Sequence, residues 1–464
     1  MGGVARRYAV VGGGIAGLAA AHKLHELDPG ARVILLERGA RLGGKIHTEP
    51  FVGRPIETGA ETFLLREGGQ ESAALALARR LGLGDALVHP AAVPAALAVQ
   101  RELCPVPVGT LMGIPADPQR VARLAPVVAG RDVDEGRPLL APGEDVAVGE
   151  LVRARLGDPV VDRLVDPLLG GVYAGRADRL SLQATVPGLH RTAATEHTLA
   201  GAVRAAMAAA PRPDGSPIFA SLHGGLSVLV SAVARACGAD VRLGRTARAL
   251  RPAADRWQLT VGATTDESTV EADAVVLAVP AAPAARLLAP VAEPAATALA
   301  ELEYASIVLV TLALPAETTL PDLSGFLVPA AEGYAVKAAT FFTTKWPHLA
   351  QPRGGPVVVR ASLGRFGDTR VLQRTDDDLV DLVRAELSQL LGTRLPEPVA
   401  SRVNRWGGAL PQYGVGHVAR TASVRSSLPP TLALAGAVAD GVGIAACVRS
   451  GEAAATRVWS ALGG

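Results

Sequence analysis

The sequence has few aromatic residues. Four Trp, five Tyr and seven Phe amount to 3% of 464 residues, so the interior must be built from helices and strands rich in alanine, leucine and valine. Cysteine is scarcer still. Cys104, Cys237 and Cys447 lie far apart and form no C-x-x-C pair. That excludes a disulfide framework and a cysteine-rich metal site, and it fits a reducing compartment. The nine histidines include no H-E-x-x-H spacing, and no metal is expected. Charge of one sign is lacking too: 46 basic and 44 acidic residues leave a net charge of +2. A nucleic-acid-binding surface as the main business is thereby excluded. Lysine stands only at 23, 45, 337 and 345. No apolar run is long and clean enough to span a bilayer. Ala272 to Pro290 is broken by Asp273 and prolines, and Leu432 to Val448 by Asp440 and three glycines. The first strand falls within a few residues of Met1 and leaves no room for a signal peptide, so a cytoplasmic protein is expected.

What is present is concentrated first in Tyr8 to Glu37. Tyr8-Ala9-Val10-Val11 has the length of a buried strand. Gly12, Gly14 and Gly17 follow in G-x-G-x-x-G spacing, Leu18 to Leu27 reads as a helix, and Asp28-Pro29-Gly30 breaks it. Val33 to Leu36 is a second strand with Glu37 at its end. Gly12 permits the tight turn, Gly14 lets the backbone approach a pyrophosphate, and Gly17 lets helix and sheet pack closely. The helix start offers free N–H groups to phosphates, and the Glu37 carboxylate can accept hydrogen bonds from a ribose. Strand, glycines, helix, second strand and acid in that order predict a dinucleotide-binding unit.

A comparable unit closes the chain. Leu432 to Ala437 is strand-like, and Asp440-Gly441-Val442-Gly443-Ile444 leads into a last helix through Arg457. Between the two, Leu87 to Leu103 is apolar and strand-like, and 118–199 reads as helical with few strand signals. Asp240 to Leu243, Trp257 to Val261 and Glu271 to Val279 look like further strands. So do Tyr304 to Leu314, Gly325 to Pro329 and Val357 to Leu363. Asp376, Asp377 and Asp378 open an amphipathic helix, where acids are favoured by the dipole, rather than forming a metal site.

In this order the motifs resemble the FAD-dependent amine oxidase superfamily. Four segments resemble its bacterial porphyrinogen oxidases of haem biosynthesis: Gly43-Gly44-Lys45-Ile46-His47-Thr48, Gly170 to Gly175, Arg405 to Tyr413 with Gly416-His417, and Gly441 to Ile444 with Cys447 to Gly451. The resemblance implies an α/β fold. A Rossmann-type FAD-binding domain would be assembled from 1–85, 210–285 and 405–464. A β-rich substrate domain would come from 86–104 and 286–404, and an inserted helical domain from 105–209.

It also implies site residues. Gly12, Gly13, Gly14, Ile15, Ala16 and Gly17 would hold the FAD pyrophosphate, and Glu37 with Arg38 beside it the adenosine ribose. Lys45 and the turn Gly59, Ala60, Glu61, Thr62 would lie near the ribityl chain and flavin. Ala247 would meet the adenine, Trp406 would flank the flavin, and Val442, Gly443 and Ile444 would present the last helix to its pyrimidine end. Cys447 is expected as packing rather than a covalent flavin link.

The implied reaction removes six electrons from a porphyrinogen, with O2 as acceptor and no obligatory catalytic acid or base. Arg176, Lys337 and Lys345 are candidate propionate anchors, and Tyr173 and Tyr334 candidate pocket walls. Coproporphyrinogen III is the expected substrate. Protoporphyrinogen IX, an amine or carotenoid substrate, and a non-enzymatic FAD-binding assembly role are the alternatives. A transient contact with the next haem-pathway enzyme is the further partner implied.

Overall fold

A computed structural model describes residues 5–210, 215, 217–350 and 354–464. Residues 1–4, 211–214 and 216 of the expected FAD-binding segments, and 351–353 of the expected substrate segment, lie outside them. Twelve strands form the two main sheets. In chain order they are β1 (Arg7–Val11), β2 (Arg32–Leu36), β3 (Ala95–Val99), β4 (Glu102–Pro105), β5 (Asp240–Arg242) and β6 (Ala274–Leu277). Then follow β7 (Tyr304–Leu314), β8 (Gly325–Leu327), β9 (Val336–Phe341), β10 (Val357–Leu363), β11 (Ala400–Pro411) and β12 (Leu432–Leu434).

The first sheet is parallel throughout, in the order β5-β2-β1-β6-β12. Its central strands are buried along their length, as continuous apolar runs such as Ala9-Val10-Val11 require when both faces are covered. On one face lie α1 (Ile15–Leu27), α3 (Ser227–Ala236) and α6 (Ile444–Ala461), while α2 (Asp166–Tyr173), α4 (Asp376–Leu390) and α5 (His417–Ser427) lie elsewhere. An antiparallel meander, Ala247–Ala253, Arg256–Ala263 and Asp266–Ala272, packs on the other face with the helices Ala281–Leu288 and Glu293–Ala300.

The second sheet is mixed, in the order β4-β3-β8-β9-β10-β7-β11, with β3 and β8 its one parallel pair. One face packs against α4 through Val310, Leu312, Val359, Ala361 and the helix residues Leu379, Val383 and Leu387. Helix α4 begins as its sequence dictates. The Thr375 hydroxyl accepts from the Asp378 N–H, and Asp376 to Asp378 fill the first turn. The other face turns toward a helical region with its own core, including Leu151, Leu164, Leu169, Leu182 and Val203. The molecule is thus mixed α/β. Among the described residues no helix is long and apolar enough to cross a membrane, and no cluster of His, Cys, Asp or Glu could hold a metal.

Two stretches are resolved more finely than the sequence allowed and two readings are corrected. The strand-like stretch 87–103 divides into Leu87–Val88, β3 and β4, with Gln100 and Arg101 at positive φ between the last two. The stretch expected from Glu271 to Val279 belongs to two strands in different sheets, separated by Asp273, whose carboxylate accepts from Arg7 N–H at 2.7 Å. The region 118–199 is irregular from 122 to 146 and becomes regularly helical only from Val148. The Trp406 segment lies on the twelve-residue strand β11, which Gly407 and Gly408 disguise because glycine weakens strand signals.

A two-ended cradle and a cationic side

The helix starts of α1 and α6 are built alike. Each has a glycine N-cap in extended conformation, Gly14 and Gly443, and neither has a side-chain cap. Their first N–H groups are therefore free for an anion or a carbonyl. The two helices pack closely because Gly451 of α6 lies over the backbone of Ala16. A Cβ there would stand 2.1 Å from the Ala16 carbonyl oxygen. A Cβ on Gly17 would meet the Gly12 carbonyl oxygen at 1.9 Å, and one on Gly12 the Ala278 carbonyl oxygen at 2.3 Å. These glycines serve packing. Gly14 is different: among the described residues nothing lies within 4 Å of its would-be Cβ, so the backbone there borders open space that an approaching pyrophosphate can use. Ile15 and Ala16 are buried and Gly13 packs under Glu37.

Glu37 spans this loop. One carboxylate oxygen accepts from Gly13 N–H at 2.8 Å and the other from Gly39 N–H at 2.7 Å. Both oxygens keep lone pairs for a ribose. Arg38 is exposed beside it. Ala247 opens the meander two residues beyond Arg245, whose N–H donates to the Glu37 carbonyl at 2.9 Å, so Ala247 stands near the same corner. A dinucleotide fits this end.

At the other end Lys45, the Gly59 turn, Trp406 and the start of α6 meet. Ala60 N–H donates to the Lys45 carbonyl at 2.9 Å, and Trp406 Nε1 donates to the Thr58 carbonyl at 2.6 Å. A Cβ on Gly59 would stand 2.2 Å from the Lys45 carbonyl oxygen and 3.0 Å from the Trp406 ring. The Lys45 ammonium lies 5.9 Å from the centroid of the Tyr304 ring. Among the described residues it forms no ion pair, and burial lowers its pKa. Thr62 is half-buried in the turn, Ile444 is buried, and Val442 and Gly443 stay accessible at the helix start. Cys447 is buried, and burial pushes its thiol up to about 11, as a packing residue should behave.

Glu61, expected near the flavin as part of this turn, has a further set of partners. Its carboxylate is the centre of a buried knot. It accepts from Lys345 Nζ at 2.7 Å, Arg360 at 2.5 Å and Trp346 Nε1 at 2.8 Å. Burial alone would raise its pKa, but Lys345 and Arg360 overcome that and hold it near 2. Lys345 is accordingly not a free anchor, because its charge is spent on Glu61. Arg360 also donates to the Glu57 carbonyl at 2.8 Å, so the knot fixes the Glu57 to Thr62 turn on the sheet.

The side facing the helical region carries the other candidates. Tyr173 ends α2 and meets the Tyr413 ring edge-on at 5.7 Å, and burial pushes its hydroxyl up to about 12. Arg176 lies 4.0 Å from the buried carboxyl of Asp166. Lys337 is buried on β9. Tyr334, expected as a pocket wall, is partly buried with its ring against the sheet–α4 core.

Sequence reading missed Arg360, Trp346, Tyr304, Tyr413 and Arg365 as individual residues. Only Tyr413 carried a signal, through the motif that contains it. It stacks on His417 at 4.1 Å, donates its hydroxyl to the Ala437 carbonyl, and has Cys447, Tyr173 and Tyr304 within electrostatic reach. The His417 ring is buried, neither nitrogen has a hydrogen-bond partner among the described residues, and burial lowers its pKa to about 4.

With this geometry in hand, comparison with known proteins is informative. A model of the family described as flavin containing amine oxidoreductase matches residues 15–459. A coproporphyrinogen III oxidase of Mycobacterium tuberculosis is 38% identical over 467 residues, covering 98% of each chain. The coproporphyrinogen III oxidase of Bacillus subtilis is 31% identical over 474 residues, 96% of each. A crystal structure from Exiguobacterium sp. 255-15, provisionally assigned as a protoporphyrinogen oxidase, superposes with a TM-score of 0.84 at 31% identity, covering 98% of this chain and 99% of that one.

Proposed function

Because the chain belongs to the flavin containing amine oxidoreductase family, we propose that it is an FAD-dependent oxidase converting coproporphyrinogen III to coproporphyrin III, with O2 as acceptor, in haem biosynthesis. The observation that carries the reading is the pair of uncapped helix starts, Gly14 and Gly443, on packed helices at opposite ends of the chain. Full-length identity to coproporphyrinogen III oxidases supports the substrate. The first sheet with its helices is then the FAD-binding domain, assembled from 1–85, 210–285 and 405–464. The mixed sheet is the substrate domain, from 86–104 and 286–404, and 105–209 the inserted helical domain.

In each of three rounds the substrate gives up a hydride from a meso carbon and a proton from a ring nitrogen; because the porphyrin has lost four meso and two N–H hydrogens in all, one meso hydrogen first moves to a nitrogen by tautomerisation and leaves from there. Six hydrogens leave in all, and three O2 become three H2O2. FAD, when bound, supplies the hydride acceptor and passes the two electrons to O2. This chain supplies binding and orientation. Gly12 to Gly17 take the pyrophosphate and Glu37 the ribose. The Val442 to Ile444 helix start and Lys45 present positive potential where negative charge collects on reduction. Trp406 and the Gly59 turn set one wall; Tyr173, with Tyr413 and Tyr304, lines a dry apolar one. Arg176 and Lys337 meet the propionates. The pyrrole proton can pass to water, so no acid or base is assigned.

Steady-state rates on coproporphyrinogen III and protoporphyrinogen IX, measured side by side with peroxide counted, test this. The expected result is faster turnover of coproporphyrinogen, with three peroxides for each porphyrin formed. Faster turnover of protoporphyrinogen would move the substrate to the second reading, which the Exiguobacterium likeness favours.

A further inference from the structure

Strand β9 carries a β-bulge between Val336 and Ala338 where it pairs with β10. Val336, Ala339 and Phe341 belong to the core against α4. The bulge therefore turns two consecutive residues, Lys337 and Ala338, to the opposite face, the one that α2 approaches. Gly171 of α2 lies over this sheet, its would-be Cβ 3.3 Å from the Leu327 side chain of β8. Lys337 is 7% exposed there. Among the described residues no hydrogen-bond or ion-pair partner meets its ammonium, and the charge that acts on it is another cation, Arg365. Burial and that cation together bring Lys337 down to about 7.

Arg365 is fixed in place. It donates to the Tyr334 carbonyl and to the Val328 carbonyl, both at 3.0 Å. Its loop is sealed to the turn after α2 by the Phe366 N–H, which donates to the Ala174 carbonyl at 2.7 Å. The acids in reach are Asp166, Asp368 and Glu386. Two of them are engaged elsewhere: Glu386 accepts from Ala335 and Val336 N–H, and Asp166 from Ala177 N–H while pairing Arg176. Three cations thus gather where α2 meets the sheet, and one of them, on a side chain only 7% exposed, has no partner among the described residues. A largely desolvated ammonium without a counter-ion is unfavourable, and an arriving anion relieves it.

We infer that Lys337 and Arg365, joined by Arg176 across Asp166, form a carboxylate site that receives a propionate of the porphyrinogen. The inference rests on the substrate proposed above, and it makes this corner the pole of the pocket that fixes the macrocycle's orientation. Lys345, bound to Glu61, takes no part.

The test uses FAD-loaded enzyme and the variant Lys337→Met. Binding of coproporphyrin III is compared with binding of its tetramethyl ester, which has the same ring and no charge. Wild type should prefer the acid, and the variant should lose about tenfold or more in affinity for the acid and little for the ester. KM for coproporphyrinogen should rise by a like factor with kcat within about twofold. Flavin content and melting temperature should not fall, because the residue removed has no partner to orphan. A merely structural lysine would instead lower the melting temperature and leave the acid-to-ester ratio unchanged, which overturns the site. Arg365→Lys, which keeps the charge, should retain most of the acid preference. Loss of wild-type coproporphyrinogen turnover would sink the functional reading, while the acid-to-ester ratio would still report on the anion site.

Discussion

At the scale of single residues, two glutamates four apart have opposite electrostatics for a visible reason. Glu61 has two cations and an indole N–H, and its carboxyl is held near 2. Glu57 is as deeply placed, but it accepts from the Leu226 N–H at 2.6 Å and the Thr48 hydroxyl at 3.0 Å without a cation of its own. Burial pushes it up to about 7 despite those hydrogen bonds. The sign of the linkage follows. A carboxyl whose folded pKa exceeds its unfolded value is best tolerated protonated, so its presence weakens the fold as pH rises from about 4.5 through about 7. Glu57→Gln keeps the shape and an acceptor for Leu226. It should flatten the loss of stability over that window and stabilise the protein at pH 8 by up to about 3 kcal/mol in denaturant titrations. An unchanged pH profile would contradict the assignment. None of this was legible in the sequence. Glu61 was read as part of a cofactor-facing turn, and its partners Trp346 and Arg360 lie 285 and 299 residues away.

At the scale of elements, the two strand–glycine–helix units were legible because each is local. The turn, the helix start and the acid follow within one stretch of chain, and their backbone demands select glycine. Strand β11 was hidden by its two glycines, and the divided strands near Asp273 by an apolar run that ignores sheet boundaries. The contact between α1 and α6 was also invisible, although it sets the spacing of the two helix starts. Gly451→Ala tests it. The added methyl must displace the Ala16 carbonyl in the first turn of α1. The variant should lose about 1–3 kcal/mol of stability and release FAD more readily, measured by thermal melts and by flavin fluorescence after gel filtration. Normal flavin retention would show that the helix spacing is not what holds the cofactor.

At the scale of the whole molecule, the motifs named the cofactor's two ends, and the fold brings the elements that carry them into contact. The proposed substrate site is assembled from parts with no shared signal. Lys337 comes from a bulge, Tyr173 from a helix end, Tyr413 from the turn beyond β11, and Arg365 from a loop sealed to the turn after α2. Single lysines and arginines in a chain with 46 basic residues do not announce which of them is buried, and Lys345 and Lys337 looked alike until one proved paired and the other not.

The central claim is that a porphyrinogen held on this side of the molecule delivers its hydrogens to a flavin gripped between two helix starts. Anaerobic titration of the FAD-loaded protein with coproporphyrinogen III tests it most directly. The account predicts that the visible flavin absorbance bleaches while the coproporphyrin band grows, with roughly one third of an equivalent sufficing because each substrate carries six electrons. A flavin that stays oxidised under the porphyrinogen, yet bleaches with dithionite, would contradict it.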